Sequence, residues 1–146
     1  MNNLFIEHSD HPLFRFLDAG ERTVMEGIGR VVELGDGEEL IRSGARDTQL
    51  YTVEQGVLEI ADSGGRVLAS VGPGDVLGEV SFIDDSPRSA SVRAAAPAVL
   101  RAWDRDSLMQ ALQSEPAILA KFSVALNLLL VERLRDTAKA GVVSRR

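Results

Sequence analysis

The sequence predicts a mainly β domain framed by helices, and three observations predict it. Between Arg30 and Trp103, short runs rich in branched residues are broken at near-regular intervals by glycine-containing turns. On either side of that region the apolar residues recur at helical spacing. The composition, 45% hydrophobic and 26% charged over 146 residues, is that of one globular domain with one substantial core.

Residues 12–30 read as the N-terminal helical segment. Leu13, Phe14 and Leu17 are followed by Val24, Met25 and Ile28 on a continuing apolar face, and Asp18 with Glu21 three positions on resembles a helix start. Residues 31–103 carry the strands: Val31–Leu34, Glu39–Arg42, Leu50–Val53, Val57–Ile60, Val67–Val71, Val92–Ala94 and Val99–Trp103. Asp62-Ser63-Gly64-Gly65 between two of them is a hairpin signal. This strand pattern suits a sandwich or a barrel. Residues 104–140 return to helical period. A first helix ends before Pro116; a longer one runs from about Ala117 to Ala140 and stops at Gly141. The longer helix carries Leu119, Phe122, Leu126, Leu129, Leu130 and Leu134, with further apolar residues around its other faces, so more than one face must be covered.

Bulk properties exclude several classes. With no cysteine there is neither a disulfide nor a thiolate metal site, which suits a reducing cytoplasm. A net charge of −6 argues against a general nucleic-acid binder. The N-terminus lacks the basic-then-apolar pattern of a signal peptide. Ala117–Val131 contains Lys121 and is too short to span a bilayer, so no membrane partner is expected. The two histidines, His8 and His11, have no third to complete a metal set and read as terminal surface residues.

The most informative stretch is Val76–Val92, VLGEVSFIDDSPRSASV. Glu79 offers acceptor oxygens suited to a pair of hydroxyls, and nine residues on Arg88 offers a planar fork of donors suited to a phosphate. Gly78 has no Cβ to hold a ligand away from its backbone. Val80-Ser81-Phe82-Ile83 can form one helical turn whose N–H groups face an anion.

Leu77-Gly78-Glu79-Val80-Ser81-Phe82 and Pro87-Arg88-Ser89-Ala90-Ser91-Val92 closely resemble the phosphate-binding cassette of the cyclic nucleotide-binding domains. That family includes the bacterial catabolite activators, the regulatory subunits of cAMP-dependent kinase and cyclic-nucleotide-gated channels. The resemblance spans about residues 12–140, with the cassette at 77–92, and departs from the pattern only in apolar swaps at Leu77 and Phe82. It implies an eight-stranded double jelly-roll, or β-roll, framed by an N-terminal helix and two C-terminal helices. It also implies a cyclic nucleotide ligand, cAMP or cGMP, rather than a cofactor, with Gly78, Glu79, Val80, Ser81, Arg88, Ser89 and Ala90 around its sugar and phosphate. Both nucleotides carry the same sugar-phosphate, and Ser89 or Thr137 can serve a guanine; the family relation favours cAMP.

In the catabolite-activator branch the last helix forms a dimer seam and caps the purine. By that match Thr137 is a base contact and Arg133 lies one turn before it on the same face. The alternative is a solvated helix end, with Arg133 and Arg135 paired to Glu132 and Asp136. Relatives of that branch continue into a DNA-binding module, whereas here only a short tail to Arg146 follows, so direct DNA binding is not expected and an effector would be a separate, unknown protein. The expected protein is therefore a cytoplasmic, stand-alone nucleotide sensor, dimeric through its last helix, whose position changes on binding.

Two other readings remain. A nucleotide-free interaction scaffold predicts erosion of the Glu and Arg positions, and neither is eroded. A metal-dependent cupin enzyme predicts histidines within the barrel, and the strand region has none. Ser81, Ser89 and Ser91 have no histidine to activate them, so no catalytic residue and no metal ligand is assigned.

Overall fold

The computed structural model describes residues 3–139. They fall into two compact units. One contains the N-terminal residues to Met25 and the chain from Ala111 onward; the other is Glu26–Gln110.

The second unit is the β-roll. Its strands are β1 (Arg30–Leu34), β2 (Glu39–Ile41), β3 (Gln49–Gln55), β4 (Leu58–Ala61), β5 (Val67–Val71), β6 (Val76–Leu77), β7 (Ser91–Ala94) and β8 (Ala98–Asp104). They form two four-stranded antiparallel sheets, ordered β1-β8-β3-β6 and β2-β7-β4-β5. This is the eight-stranded jelly-roll order, in which distant strands become neighbours: β1 pairs with β8 from Arg30↔Ala102 to Leu34↔Ala98. Alternate residues of both sheets fill the space between them. Leu34, Ile41, Tyr51, Val53, Leu58, Leu77, Val92, Ala94, Ala98, Leu100 and Ala102 make one buried cluster. On β3, Leu50 and Thr52 are buried as well, so that strand is covered on both faces.

The turns follow their chemistry. The predicted hairpin joins β4 to β5, and the Asp62 carboxylate accepts the N–H groups of Gly64 and Arg66, both at 2.9 Å. Gly56, between β3 and β4, has φ +92°, and a Cβ there would lie 2.6 Å from the Pro97 carbonyl oxygen; only glycine fits. The two-residue strand β6 escapes sequence periodicity, being too short to alternate, and is held by pairing Tyr51↔Leu77 and Thr52↔Val76.

Helix α1 covers Ala19–Ile28, less than the expected 12–30. Residues 12–16 form turns, closed by bonds such as Leu17 N–H to the Phe14 carbonyl at 2.9 Å. The start belongs to Asp18 and Glu21, which cap each other's backbone: Glu21 N–H donates to Asp18 Oδ1 at 2.8 Å and Asp18 N–H to Glu21 Oε1 at 3.0 Å. A capping box at 18 sets the boundary that apolar spacing alone misplaced. Arg101 Nη1 donates to the Glu26 carbonyl at 3.0 Å near the helix end.

After the roll come α3 (Arg105–Ala111), a 3₁₀ turn over Leu112–Ser114, and α4 (Pro116–Lys139), which has Pro116 at its first position, one residue before the expected Ala117. The expected stop at Gly141 lies outside the described residues. In α4, Ile118, Lys121, Phe122, Ala125 and Leu126 are buried, whereas Leu134, expected in the apolar stripe, is 69% exposed. Within the same unit Arg15 bonds Glu7 and, at 3.3 Å, Glu132 of α4. No helix among the described residues is long and apolar enough to cross a membrane.

Candidate functional site

The loop between β6 and β7 contains a short helix, α2 (Glu79–Asp84), where one turn was predicted. A six-residue helix is not stable by itself, so its ends must be held. Gly78 begins it with φ +84°, a left-handed conformation that side-chain-bearing residues resist. A Cβ on Gly78 would sit 2.6 Å from Arg88 Nη1 and 2.7 Å from the Gln49 carbonyl oxygen. Glycine is therefore required twice, for backbone angle and for the arginine beside it. At the other end Asp85 takes φ +60°, and its N–H donates to the Ser81 carbonyl at 3.1 Å.

Arg88 is the centre of the arrangement. Only 4% of it is exposed, which for an arginine demands partners. Its guanidinium makes four hydrogen bonds. Nε donates to Asp47 Oδ2 at 3.2 Å and Nη2 donates to Asp47 Oδ1. Nη2 also donates to the Gln49 carbonyl at 2.7 Å, and Nη1 to the Gly78 carbonyl at 3.1 Å. The backbone is pinned too: Arg88 N–H donates to the Ala45 carbonyl at 2.8 Å, and Gly44 N–H donates to the Arg88 carbonyl at 2.7 Å. A long cation with several rotors is thus fixed before any ligand arrives, so the ordering entropy is already spent in folding.

Of the residues predicted around the ligand, the fold brings Gly78 and Arg88 into direct contact and buries Glu79 (6% exposed) and Ser81 (4%) on α2. Val80 and Ala90 are half-buried and Ser89 is exposed. Ser91 is tied to backbone, its hydroxyl accepting Ser43 N–H at 2.9 Å. Arg133 and Thr137 lie on α4, in the other unit, where the Thr137 hydroxyl donates to the Arg133 carbonyl at 2.9 Å.

Asp47 and Gln49 were not found by sequence reading. They stand 41 and 39 residues from Arg88 in the chain, and no local pattern links a loop aspartate to a distant arginine. Nearby on β3, burial pushes the Tyr51 phenol above its ordinary range; the Asp47 carboxylate adds to that rise and Arg88 opposes it. Among the described residues no group of three histidine, cysteine or acidic side chains stands ready to hold a metal.

The two-sheet antiparallel roll thus places a buried arginine beside a left-handed glycine and a buried glutamate. Residues 31–115 match the sequence profile of the cyclic nucleotide-binding domain, and the chain belongs to that family. Among curated relatives, the cAMP-dependent protein kinase regulatory subunit of Debaryomyces hansenii is 34% identical over 95 residues, which are 64% of this chain and 21% of that one. The chain thus spans about a fifth of that relative's length. The structure of the N-terminal domain of a transcriptional regulator from Streptomyces coelicolor superposes with a TM-score of 0.74 at 27% identity, covering 98% of this chain and 99% of that one. The Thermus thermophilus catabolite activator protein gives a TM-score of 0.77 at 28% identity, over 88% of this chain and 61% of that one.

Proposed function

We propose that this domain binds a 3′,5′-cyclic nucleotide, cAMP before cGMP, and acts as a cytoplasmic regulatory sensor rather than as an enzyme. The observation that carries the reading is the buried Arg88 guanidinium, fixed by Asp47, Gln49 and Gly78 against the start of α2. In this reading the phosphate takes up Arg88 together with the backbone N–H groups near Ser81 and Ser89. Glu79 accepts from the ribose 2′-hydroxyl, Gly78 lets the sugar approach, and Val80 and Ala90 line the remaining contact. Arg133 and Thr137 contact the base from α4, the same helix that pairs two copies of the chain and shifts to inform an effector protein. The name of the Debaryomyces relative, a regulatory subunit of a cAMP-dependent kinase, supports cAMP as the first ligand to test.

A charge-assisted contact to a phosphate contributes about 1.5–3 kcal/mol, so losing it costs roughly tenfold or more in affinity. The test is calorimetric titration of nucleotide-stripped protein with cAMP and cGMP, beside Arg88→Ala. Saturable binding of one or both, weakened at least tenfold in the variant, is the expected result. A folded protein that gives neither heat nor thermal shift with either nucleotide would overturn the reading and leave the roll as a protein-binding scaffold.

A further inference from the structure

The end of α2 and the start of α3 are joined by side chains that the ligand reading does not use. Arg105, the first residue of α3, donates from Nη1 to Asp85 Oδ1 at 3.0 Å and to the Phe82 carbonyl at 3.4 Å. Phe82 and Asp85 are the last turn and the left-handed cap of α2, where carbonyls lack helical partners. Arg46 reinforces the same cap, donating to the Asp85 carbonyl at 3.4 Å.

A second link runs parallel. Asp104 caps α3 by accepting the Ser107 N–H at 3.2 Å and hydroxyl at 3.1 Å, and it also accepts from Thr48 Oγ1 at 3.1 Å and Gln49 Nε2 at 3.2 Å. Gln49 is the residue whose carbonyl takes the Arg88 guanidinium. The start of α3 is therefore bonded directly to the end of α2 through Arg105, and indirectly, through Asp104, to Gln49, whose carbonyl accepts from Arg88. An exposed ion pair by itself contributes little. Here, however, one guanidinium joins a helix that cannot stand alone to the opening turn of the next, and Arg105 is only 25% exposed.

We propose that Arg105 is a positioning residue that couples the Gly78–Arg88 loop to α3, so that fixing α2 also fixes the first turn of α3. Its part in signalling rests on the nucleotide reading above: a ligand that orders α2 biases α3 through Arg105. The coupling itself exists without ligand and is testable without it.

Hydrogen exchange of the full chain, read over residues 79–88 and 105–111, tests both parts in wild type, Arg105→Gln, Asp85→Asn and the double variant. Asp85 is 64% exposed and asparagine tolerates its left-handed backbone, so this second variant opens the contact without endangering the fold. Without ligand, each single variant should speed exchange about threefold in both segments, and the double variant should be no faster than the faster single. A variant that affects only its own segment would overturn the coupling. With saturating cAMP, wild type should slow in both segments, whereas Arg105→Gln should slow over 79–88 alone. Equal slowing of 105–111 in Arg105→Gln and wild type would also overturn the coupling while leaving the nucleotide reading intact. If cAMP slows neither segment in wild type but the ligand-free variants behave as stated, the coupling stands and cAMP is excluded as its trigger.

Discussion

Asp47 holds Arg88 by the fork: one carboxylate takes both Nε and Nη2 of a guanidinium that is almost wholly buried. Removing one member of such a pair leaves a charge without compensation, which costs more than the pair contributes. Asp47 is itself 37% exposed, so solvent moderates the loss. Asp47→Asn, which keeps an acceptor but not the charge, should therefore destabilise the ligand-free domain by about 1–3 kcal/mol. Urea unfolding measures it. The same variant should gain more thermal stability from a bound cyclic nucleotide than wild type does, because the anion then supplies the missing charge. Equal ligand-induced shifts would mean that Asp47 does not compensate the arginine.

Gly78→Ala tests the backbone side of the site. The left-handed φ of +84° costs a side-chain-bearing residue about 1–2 kcal/mol, and the added methyl would meet Arg88 Nη1 at 2.6 Å and the Gln49 carbonyl at 2.7 Å. Arg88 must then move, breaking its bond to the Gly78 carbonyl. The expected result is a loss of about 2–4 kcal/mol in stability together with weakened nucleotide binding. Gly74→Ala is the control: its φ is also positive, at +90°, but nothing lies within 4 Å of the added Cβ. It should lose the strain term alone, and binding should survive.

What could be read in the chain was whatever repeats or sits close together. Branched runs and glycine turns gave the strands other than β6; Glu79 and Arg88, nine residues apart, gave the cassette; Asp18 with Glu21 resembled a helix start, although apolar spacing began the helical segment at 12. What could not be read depends on contacts across the fold. Asp47 and Gln49 reach Arg88 only because β3 folds beside β6, and β6 itself is two residues long. Leu134 illustrates the opposite failure: it fits the helical stripe of α4, but spacing states only which residues share a face, not whether anything covers it.

Asp104 offers a pH test of the α3 cap. Its hydrogen bond from the Ser107 backbone holds the carboxyl below the usual aspartate range, burial opposes that, and bonds from the Ser107 and Thr48 hydroxyls lower it further. A depressed folded-state value means that the unfolded chain binds a proton first as pH falls. The stabilisation is therefore complete above the unfolded value of about 3.9 and drains away below it, as the folded carboxyl titrates. Asp18 and Asp84 shift in the same direction and contribute in the same window. Asp104→Asn should lower stability at pH 7 and shrink the difference from wild type as pH falls from about 4 toward 2. A difference that stays constant with pH would show that the cap works through hydrogen bonding alone, without charge.

The last test concerns the pair that Lys121 of α4 makes with Glu21 of α1. Lys121 Nζ lies 2.7 Å from Glu21 Oε1, with the two side chains 10% and 17% exposed. Glu21 is committed twice, since the same oxygen accepts the Asp18 N–H that opens α1. Glu21→Gln keeps the capping box, because an amide serves at that position as well as a carboxylate, but it strands the lysine charge among Ile118, Phe122 and Ala125 of the buried face. Lys121→Met removes the stranded charge and fills the same space with an unbranched apolar chain. The loss should be about 2–4 kcal/mol for Glu21→Gln and about 1–3 kcal/mol for Lys121→Met, which leaves the carboxylate of Glu21, the more exposed partner, without its cation. Combining the two should recover most of what Glu21→Gln loses, since the double variant has no charge left to bury. Chemical denaturation of the four proteins decides it, and strictly additive losses would show that the charge of Glu21 does nothing for Lys121.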